Sequence, residues 1–421
     1  MTQALPEAIS LRGEPLDGAG AERETAILYL DADTGKGGAS RSLLYIVEKL
    51  AATGWQPVVV LLETNAQVEG FRGADIVTRI VRHIPKFRPA DRHNLFSALR
   101  YLWHLRRLTG LIPVLRRLIA EHDIRLIHVN HENIALTGLL IARWFGLPCV
   151  CHIRTQLTET LSARLVNRLI ARYATAIVPI SEPVTEHFVA LANRPTAIAK
   201  MTRIYNPAPD LPDVIPPLPA LMTPADGFRV LILSNISHNR GVDRVVDVAL
   251  ALERMDRRDI VFHVCGGLAH TRLMPGMQNT YLDDILTRVR EHGLDDRIKF
   301  HGYVSEPLRA LASCDALLRL TRLRPSPWGR DIIEAMMVGL PVVTVGAFQG
   351  YVEDGRNGFV DPDFDAEQSA AHLIRLRDDP ALRLAMREAN RTKARAMFDA
   401  TTRAGDVAAL YRSLIGGSSN P

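Results

Sequence analysis

The sequence predicts an α/β protein made of two Rossmann-like, doubly wound parallel-sheet domains facing across a cleft. Three observations carry that expectation. Apolar runs of strand length recur without polar alternation, as when both faces of a sheet are covered. Amphipathic stretches of helical length separate them, the alternation that builds parallel sheets. The alternation stops once, at a proline-rich stretch, and then begins again. With 421 residues, 47% apolar and 23% charged, the chain is long enough for two or three cores, and a disordered or collagen-like chain is excluded.

Residues 1–24 hold no apolar core of signal-peptide length and read as a flexible leader. The first domain is expected over 25–205. Ala26 to Leu30 is a strand, Asp31 to Gly38 (DADTGKGG) a glycine-rich loop, and Ser40 to Leu50 an amphipathic helix. Pro57 to Leu62, Leu126 to Val129, Cys149 to Ile153 and Ala176 to Ile180 supply further strands. The near-apolar stretch from Ile134 to Cys151 is broken by Arg143, Gly146 and Pro148, so it divides into a buried helix and a strand rather than a membrane span. Seven prolines between Asn206 and Asp226 make 206–226 a linker and hinge.

The second domain is expected over 227–395. Arg229 to Leu233 is a strand, Asn235 to Gly241 a loop and Val242 to Glu253 a helix; strands at Ile260 to Val264, Ile298 to Phe300, Ala316 to Leu320 and Pro341 to Val345 follow. Asp379 to Leu414 reads as helical, with Gly416 and Gly417 closing it, and 396–421 is expected to pack back on the first domain.

The net charge is +5, from 51 basic and 46 acidic residues, and only six of the bases are lysines (Lys36, Lys49, Lys86, Lys200, Lys299 and Lys393). Arginine suits bidentate recognition of phosphate, although genome composition gives the same bias. From Arg79 to Ala120 the only acid is Asp91, and leucines and aromatics interleave the arginines. Residues 79–120 therefore read either as amphipathic helices for an anionic membrane surface or as a solvated face over ordinary helices. No aromatic platform or known module supports nucleic-acid binding. The four cysteines lack C-x-x-C spacing, so buried, reduced thiols in a cytoplasmic protein are expected, peripheral to the inner membrane face. Asp31-Ala32-Asp33 mimics an Asp-x-Asp metal motif, but its place after the first strand speaks against a metal.

Ligands of doubly wound sheets bind outside the carboxyl ends of the strands. The richest such loop is Arg324 to Gly358, where Pro327, Trp328 and Gly329 turn into a helix from Arg330 to Val338 that Gly339 stops. A helix opening there points unpaired N–H groups outward, which suits a diphosphate. Glu334, one turn inside, can accept hydrogen bonds from vicinal hydroxyls such as those of a ribose; offsetting the helix dipole is the plainer role. In the first half, Gly35, Gly37 and Gly38 admit close backbone approach. An NAD-dependent oxidoreductase is a rival, but Ser40 stands where its fingerprint needs glycine, and Glu63 lies 26 residues past Gly37 rather than about 20.

The 324–358 segment resembles the donor-site signature of family 4 of the retaining GT-B glycosyltransferases. There a glutamate, seven residues and a second glutamate precede Ala-x-x-x-Gly-x-Pro-Val. Glu334, Ala335, Gly339, Pro341 and Val342 match the second half, whereas the first glutamate falls at Ser326; Pro327 to Asp331 matches a Pro-Trp-Gly-Arg-Asp variant. The resemblance extends over most of the chain. It implies that Glu334 binds the nucleotide ribose and that Ser326, Trp328, Gly329, Arg330 and Asp331 lie on the donor. Arg240 and Gly241 take the positions of a Lys-Gly pair on the diphosphate. Asn235 falls near an expected arginine, with Arg330 or Arg322 as replacement. Gly37 and Gly38 lie beside the donor phosphate, His131 and Glu132 resemble a His-Glu pair near the transferred sugar, and His152 and Arg154 face acceptor or phosphate. His128 belongs in the core. The implied reaction moves a sugar from a nucleotide diphosphate sugar, with retention and without metal or prosthetic group, to a glycan or lipid-linked acceptor. The departures at Ser326 and Asn235 leave a non-catalytic sugar-nucleotide-binding protein as the alternative.

Overall fold

The computed structural model describes residues 25–33, 38–87, 94–223, 227–268, 280–322, 329–346 and 350–416. The chain divides into two compact units. The first runs to Pro207 and resumes at Ala400, and the second is Ala208–Asp399.

In the first unit the strands are β1 (Thr25–Asp31), β2 (Trp55–Leu62), β3 (Val77–Val81), β4 (Ile124–Val129), β5 (Cys149–Ile153) and β6 (Ala176–Pro179). They form one parallel sheet in the order β3-β2-β1-β4-β5-β6. Its helices are α1 (Gly38–Ala51), α2 (Val68–Gly73), α3 (Asn94–Leu105), α4 (Leu108–His122), α5 (Ala135–Phe145), α6 (Leu161–Tyr173) and α7 (Glu182–Ala192). Alternate strand residues feed two cores. Leu28, Leu30, Val58 and Val60 pack under α4 to α7, while Ile27, Tyr29, Val59 and Leu61 pack under α1 and α2. Both faces are covered, which is why the strands lack polar alternation.

The second unit repeats the plan. Strands β7 (Phe228–Leu233), β8 (Ile260–Cys265), β9 (Ile298–Gly302), β10 (Ala316–Arg319), β11 (Val342–Val345) and β12 (Gly358–Asp361) pair in the order β12-β11-β10-β7-β8-β9. Its helices are α8 (Arg244–Arg254), α9 (Tyr281–Glu291), α10 (Pro307–Ala312), α11 (Arg330–Val338), α12 (Ala366–Asp378) and α13 (Pro380–Phe398). In each sheet the strand order reverses once, between β1 and β4 and between β7 and β10, and those switch points open the crevices where ligands of this fold class bind.

The last helix, α14 (Ala400–Gly416), returns to the first unit, where Val407 and Tyr411 complete the core under α1. The sequence reads 379–414 as one helical run; the structure breaks it at Asp399, whose ψ of 125° is extended. Phe398, before the break, is buried against Tyr351 in the second unit, and Ala404, after it, is buried in the core of the first.

The edge strands β3 and β12 are absent from the sequence reading. Residues 207–218 form neither helix nor strand, and the stretch is tied to the second unit by Leu218 N donating to Ser313 Oγ at 2.7 Å and Arg309 Nη2 to Pro217 O at 3.0 Å. Among the described residues no helix is long and apolar enough to cross a membrane.

Candidate functional site

At the switch point of the second unit a small recess of about 10 Å³ is lined by the end of β7, by Arg240 to Val242, by Leu318 to Leu320 of β10 and its exit, and by Asp331. The loop after β7 is fastened to the end of β10. Thr321 Oγ1 and Arg322 N donate to Asn239 O at 3.2 and 3.0 Å, and Arg322 Nη1 donates to His238 O at 2.9 Å. Gly241 has φ +66°, and a Cβ there would collide with the Leu320 carbonyl, so glycine is required for both reasons. This stitching presents Arg240, which makes no ion pair or side-chain hydrogen bond among the described residues.

Facing it, Arg319 projects from β10 with 4% of its side chain exposed and donates from Nη1 to Asp331 Oδ1 at 3.0 Å. Burial pulls its pKa down to about 10; Asp331 opposes the shift and Arg240 adds to it. Two guanidinium groups thus line one recess, with Asp331 the carboxylate that lines it among the described residues. The helix α11 opens at the same place. Gly329 precedes it in extended conformation, Asp331 sits in its first turn, and Gly339 ends it at φ +89°. Glu334 is 2% exposed, and its Oε1 takes Arg330 Nε and Nη2 at 3.0 and 2.9 Å.

In the first unit the switch point gathers Asp31, Asp33, Asn130, His131 and Glu132. Asp31 is fully buried and accepts from Ser40 Oγ at 2.5 Å and Asp33 N at 2.9 Å; burial raises its pKa against both bonds. Glu132, 3% exposed, accepts from Arg154 N at 3.0 Å and from Thr155 Oγ1. His131 Nδ1 accepts from Asn133 N at 3.2 Å, which leaves the proton of a neutral ring on Nε2. The His131 side chain is 17% exposed, so that Nε2–H is available to a ligand.

Beneath the turn runs a buried polar chain. Arg154 donates from Nε to Asn130 O at 2.8 Å, from Nη2 to Asn130 Oδ1 at 2.7 Å and from Nη1 to Asn206 Oδ1 at 2.6 Å. His152 Nδ1 lies 3.2 Å from His128 Nε2, and His128 Nδ1 lies 2.5 Å from the Tyr411 hydroxyl of α14. Burial, then the Arg154 charge, drives both histidines below their ordinary pKa, His128 to about 3. Both rings are neutral in the fold.

The structure therefore places Arg240 and Asp331 on one recess, with Gly329 beside Arg319 and Asp331, while Arg330 and Glu334 pair with each other on α11 and Asn235 is exposed on the same loop as Arg240. Gly38 opens α1; Gly37, Ser326 and Trp328 lie outside the described residues. His152 and Arg154 are 2% and 5% exposed and face inward, reaching the surface turn through Asn130 and Glu132. Arg322 is committed to Asp243 by two bonds of 2.6 and 2.7 Å, which removes it as the replacement for a cation at Asn235. Arg319 escaped the sequence reading, although an arginine inside the apolar run Ala316 to Leu320 is itself a sign of a buried, partnered charge. Tyr411 escaped it too, because the contact spans 283 residues.

Both halves of the chain match known domain families. Residues 37–206 match the model of the "Glycosyl transferase 4-like domain", and residues 220–393 match "Glycosyl transferases group 1". A mannosylfructose-phosphate synthase of Agrobacterium fabrum is 30% identical over 190 residues, 44% of this chain and 40% of the relative. A D-inositol 3-phosphate glycosyltransferase of an Arthrobacter strain is 27% identical over 285 residues, 61% of this chain and 63% of the relative. In both cases the match spans less than two thirds of the relative's length. The crystal structure of Anabaena HepE in complex with UDP-glucose superposes with a TM-score of 0.73 at 22% identity, covering 93% of this chain and 100% of that one. With both halves matched and two six-stranded sheets of the expected topology, the chain belongs to the 4-like glycosyltransferases of the GT-B fold.

Proposed function

We propose that the protein transfers a sugar from a nucleotide diphosphate sugar to an acceptor hydroxyl with retention of anomeric configuration. One observation carries the reading: Arg240, which has no ion pair among the described residues, the buried Arg319 and the opening of α11 converge on the switch-point recess of the second unit. As the glycosidic bond breaks, negative charge collects on the departing diphosphate while the anomeric carbon becomes oxocarbenium-like. Arg240 and the first-turn N–H groups of α11 stabilise that charge electrostatically, with no metal or prosthetic group invoked. Glu334 takes the ribose hydroxyls, and Arg330 holds its carboxylate in place. Gly329, Asp331, Asn235, Ser326, Trp328, Gly37 and Gly38 complete the donor side. His131 offers Nε2–H to a sugar hydroxyl. Retention follows from front-face attack, in which a leaving phosphate oxygen accepts the proton of the acceptor hydroxyl.

On the acceptor side, His152 and Arg154 act by holding Asn130 and the His131–Glu132 turn. A glycan or lipid-linked acceptor fits the basic stretch 79–120, which we read as a peripheral contact with anionic membrane at the cytoplasmic face. The bound UDP-glucose of HepE makes uridine diphosphate sugars the first donors to try.

A thermal-shift panel of UDP, GDP, ADP and CMP sugars tests the donor reading. One donor class should stabilise the protein clearly, and Glu334→Ala, read against its own ligand-free melting temperature, should abolish that response. Equal responses to all four, or none, contradict the reading. Donor binding without transfer to any acceptor would favour a non-catalytic binding protein, in line with Ser326.

A further inference from the structure

We propose that the outer surface of helices α3, α5 and α6 is a docking face for an anionic lipid bilayer. The idea rests on the membrane reading of 79–120 and widens it to two helices outside that stretch. Large apolar side chains exposed on the first unit concentrate on these three helices. On α3, Leu99, Leu102 and Trp103 are 56%, 60% and 51% exposed. On α5, Leu140 and Trp144 are 47% and 67% exposed, and on α6 Leu161 and Leu165 reach 77% and 57%. Single exposed leucines are ordinary, but a set on neighbouring helices marks a contact surface.

The helices are neighbours in one layer. The hydroxyls of Tyr101 on α3 and Thr137 on α5 lie 3.0 Å apart, α5 packs on α6, and the inward residues of α5 and α6 share one core. Each helix is therefore already satisfied inward. The outward face of α6 carries Leu161, Arg164, Leu165, Arg168 and Arg172, all exposed and at helical spacing, where a plain solvent face would mix both signs of charge. Arg143 lies exposed beside Trp144 on α5. Among the described residues, the only carboxylate paired to these arginines is Glu159, 3.7 Å from Arg164.

At the junction of α3 and α4, Arg82, His83, Arg106 and Arg107 surround an open hollow of about 750 Å³. Arg106 lies 3.5 Å above the Trp103 ring, so apolar and cationic groups are held together there. His104 is depressed first by burial and then by Arg107, Arg100, Arg106 and His83, evidence of crowded positive charge at the same spot. Arginines whose aliphatic stems lie among leucines and tryptophans match the headgroup boundary, where the stems and rings enter the acyl edge and the guanidinium groups meet phosphate. That charge complementarity selects an anionic bilayer as the occupant.

Flotation of the full-length protein with phosphatidylglycerol-containing vesicles, and with phosphatidylcholine alone, tests the inference. Binding is expected to the anionic vesicles, weakening with salt. The double variant Trp144→Glu, Leu165→Glu should lower it at least tenfold, with circular dichroism and donor-induced thermal shift unchanged. Equal binding to both vesicle types, or no loss in that variant, overturns the proposal. If Arg106→Glu, Arg107→Glu abolishes binding while the Trp144/Leu165 variant does not, the extension to α5 and α6 fails and the 79–120 contact stands. A dimer in solution that Trp144→Glu dissociates, without vesicle binding, assigns the face to a second copy and equally overturns it. Loss of the donor response in any variant would concern the transfer reading and not this surface.

Discussion

Arg240 and Arg319 share a recess but play different parts. Arg319 is buried and neutralised by Asp331, so it shapes the site, and removing it leaves the partly buried Asp331 carboxylate without this partner. Arg240 is half-exposed and unpaired among the described residues, so its removal takes charge from the recess and little from the fold. Arg240→Ala is therefore expected to lower kcat about a hundredfold, a barrier increase of about 3 kcal/mol, with the melting temperature nearly unchanged. Steady-state kinetics beside a thermal melt checks both halves, and a large loss of stability with intact kcat would reverse the assignment. Arg240 and Glu334 were legible from sequence because each sits in a loop or helix start after a strand, where residue type and spacing suffice. Arg319 was not, because its importance lies in a partner twelve residues away that only the fold brings beside it.

At the scale of elements, the interior strands were readable because burial on both faces makes them largely apolar, and the short edge strands β6 and β9 were read from the apolar residues of Ala176 to Ile180 and Ile298 to Phe300. The two that were missed, β3 and β12, are edge strands of five and four residues. β3 has half-exposed residues along its whole length, so Val77 to Val81 carries a polar residue at its centre and no continuous apolar signal. The expectation that 396–421 packs back on the first domain names no partner for it, and the contact of α14 with β4 has a measurable consequence. His128 and His152 are neutral in the fold, and His128 falls from 6.5 to about 3. A base whose pKa is lowered by folding leaves stability intact above 6.5 and takes it away as pH falls toward the folded value, because the unfolded chain binds the protons. Unfolding free energies from urea titrations should thus fall between pH 7 and pH 4, by up to about 1.4 kcal/mol per pH unit for each histidine. His128→Gln is expected to flatten that slope; an unchanged slope would place the acid sensitivity elsewhere.

At the scale of the whole molecule, the chain crosses twice between two units, once after Pro207 and once at Asp399, yet each unit keeps its own sheet and its own core. The second unit is continuous in sequence from Ala208 to Asp399, and it holds Arg240, Arg319, α11 and Glu334 together. A fragment of 208–399 is accordingly expected to fold cooperatively by itself and to bind the nucleotide portion of the donor with the Glu334 dependence of the full chain. The first unit is discontinuous. Without α14, the core under α1 loses Ala404, Val407, Ala408 and Tyr411, and the Tyr411 hydroxyl leaves both His128 and Tyr29, 3.0 Å away, without their partner. Burying a Tyr-sized side chain and closing a polar network of this kind are each worth several kcal/mol, comparable to the whole stability of a domain. A fragment of 25–207 should therefore be aggregated or molten, and joining 400–416 to it through a flexible linker should restore a cooperative transition. A sharp thermal transition for 25–207 alone would show that α14 is an accessory to that unit rather than part of its core.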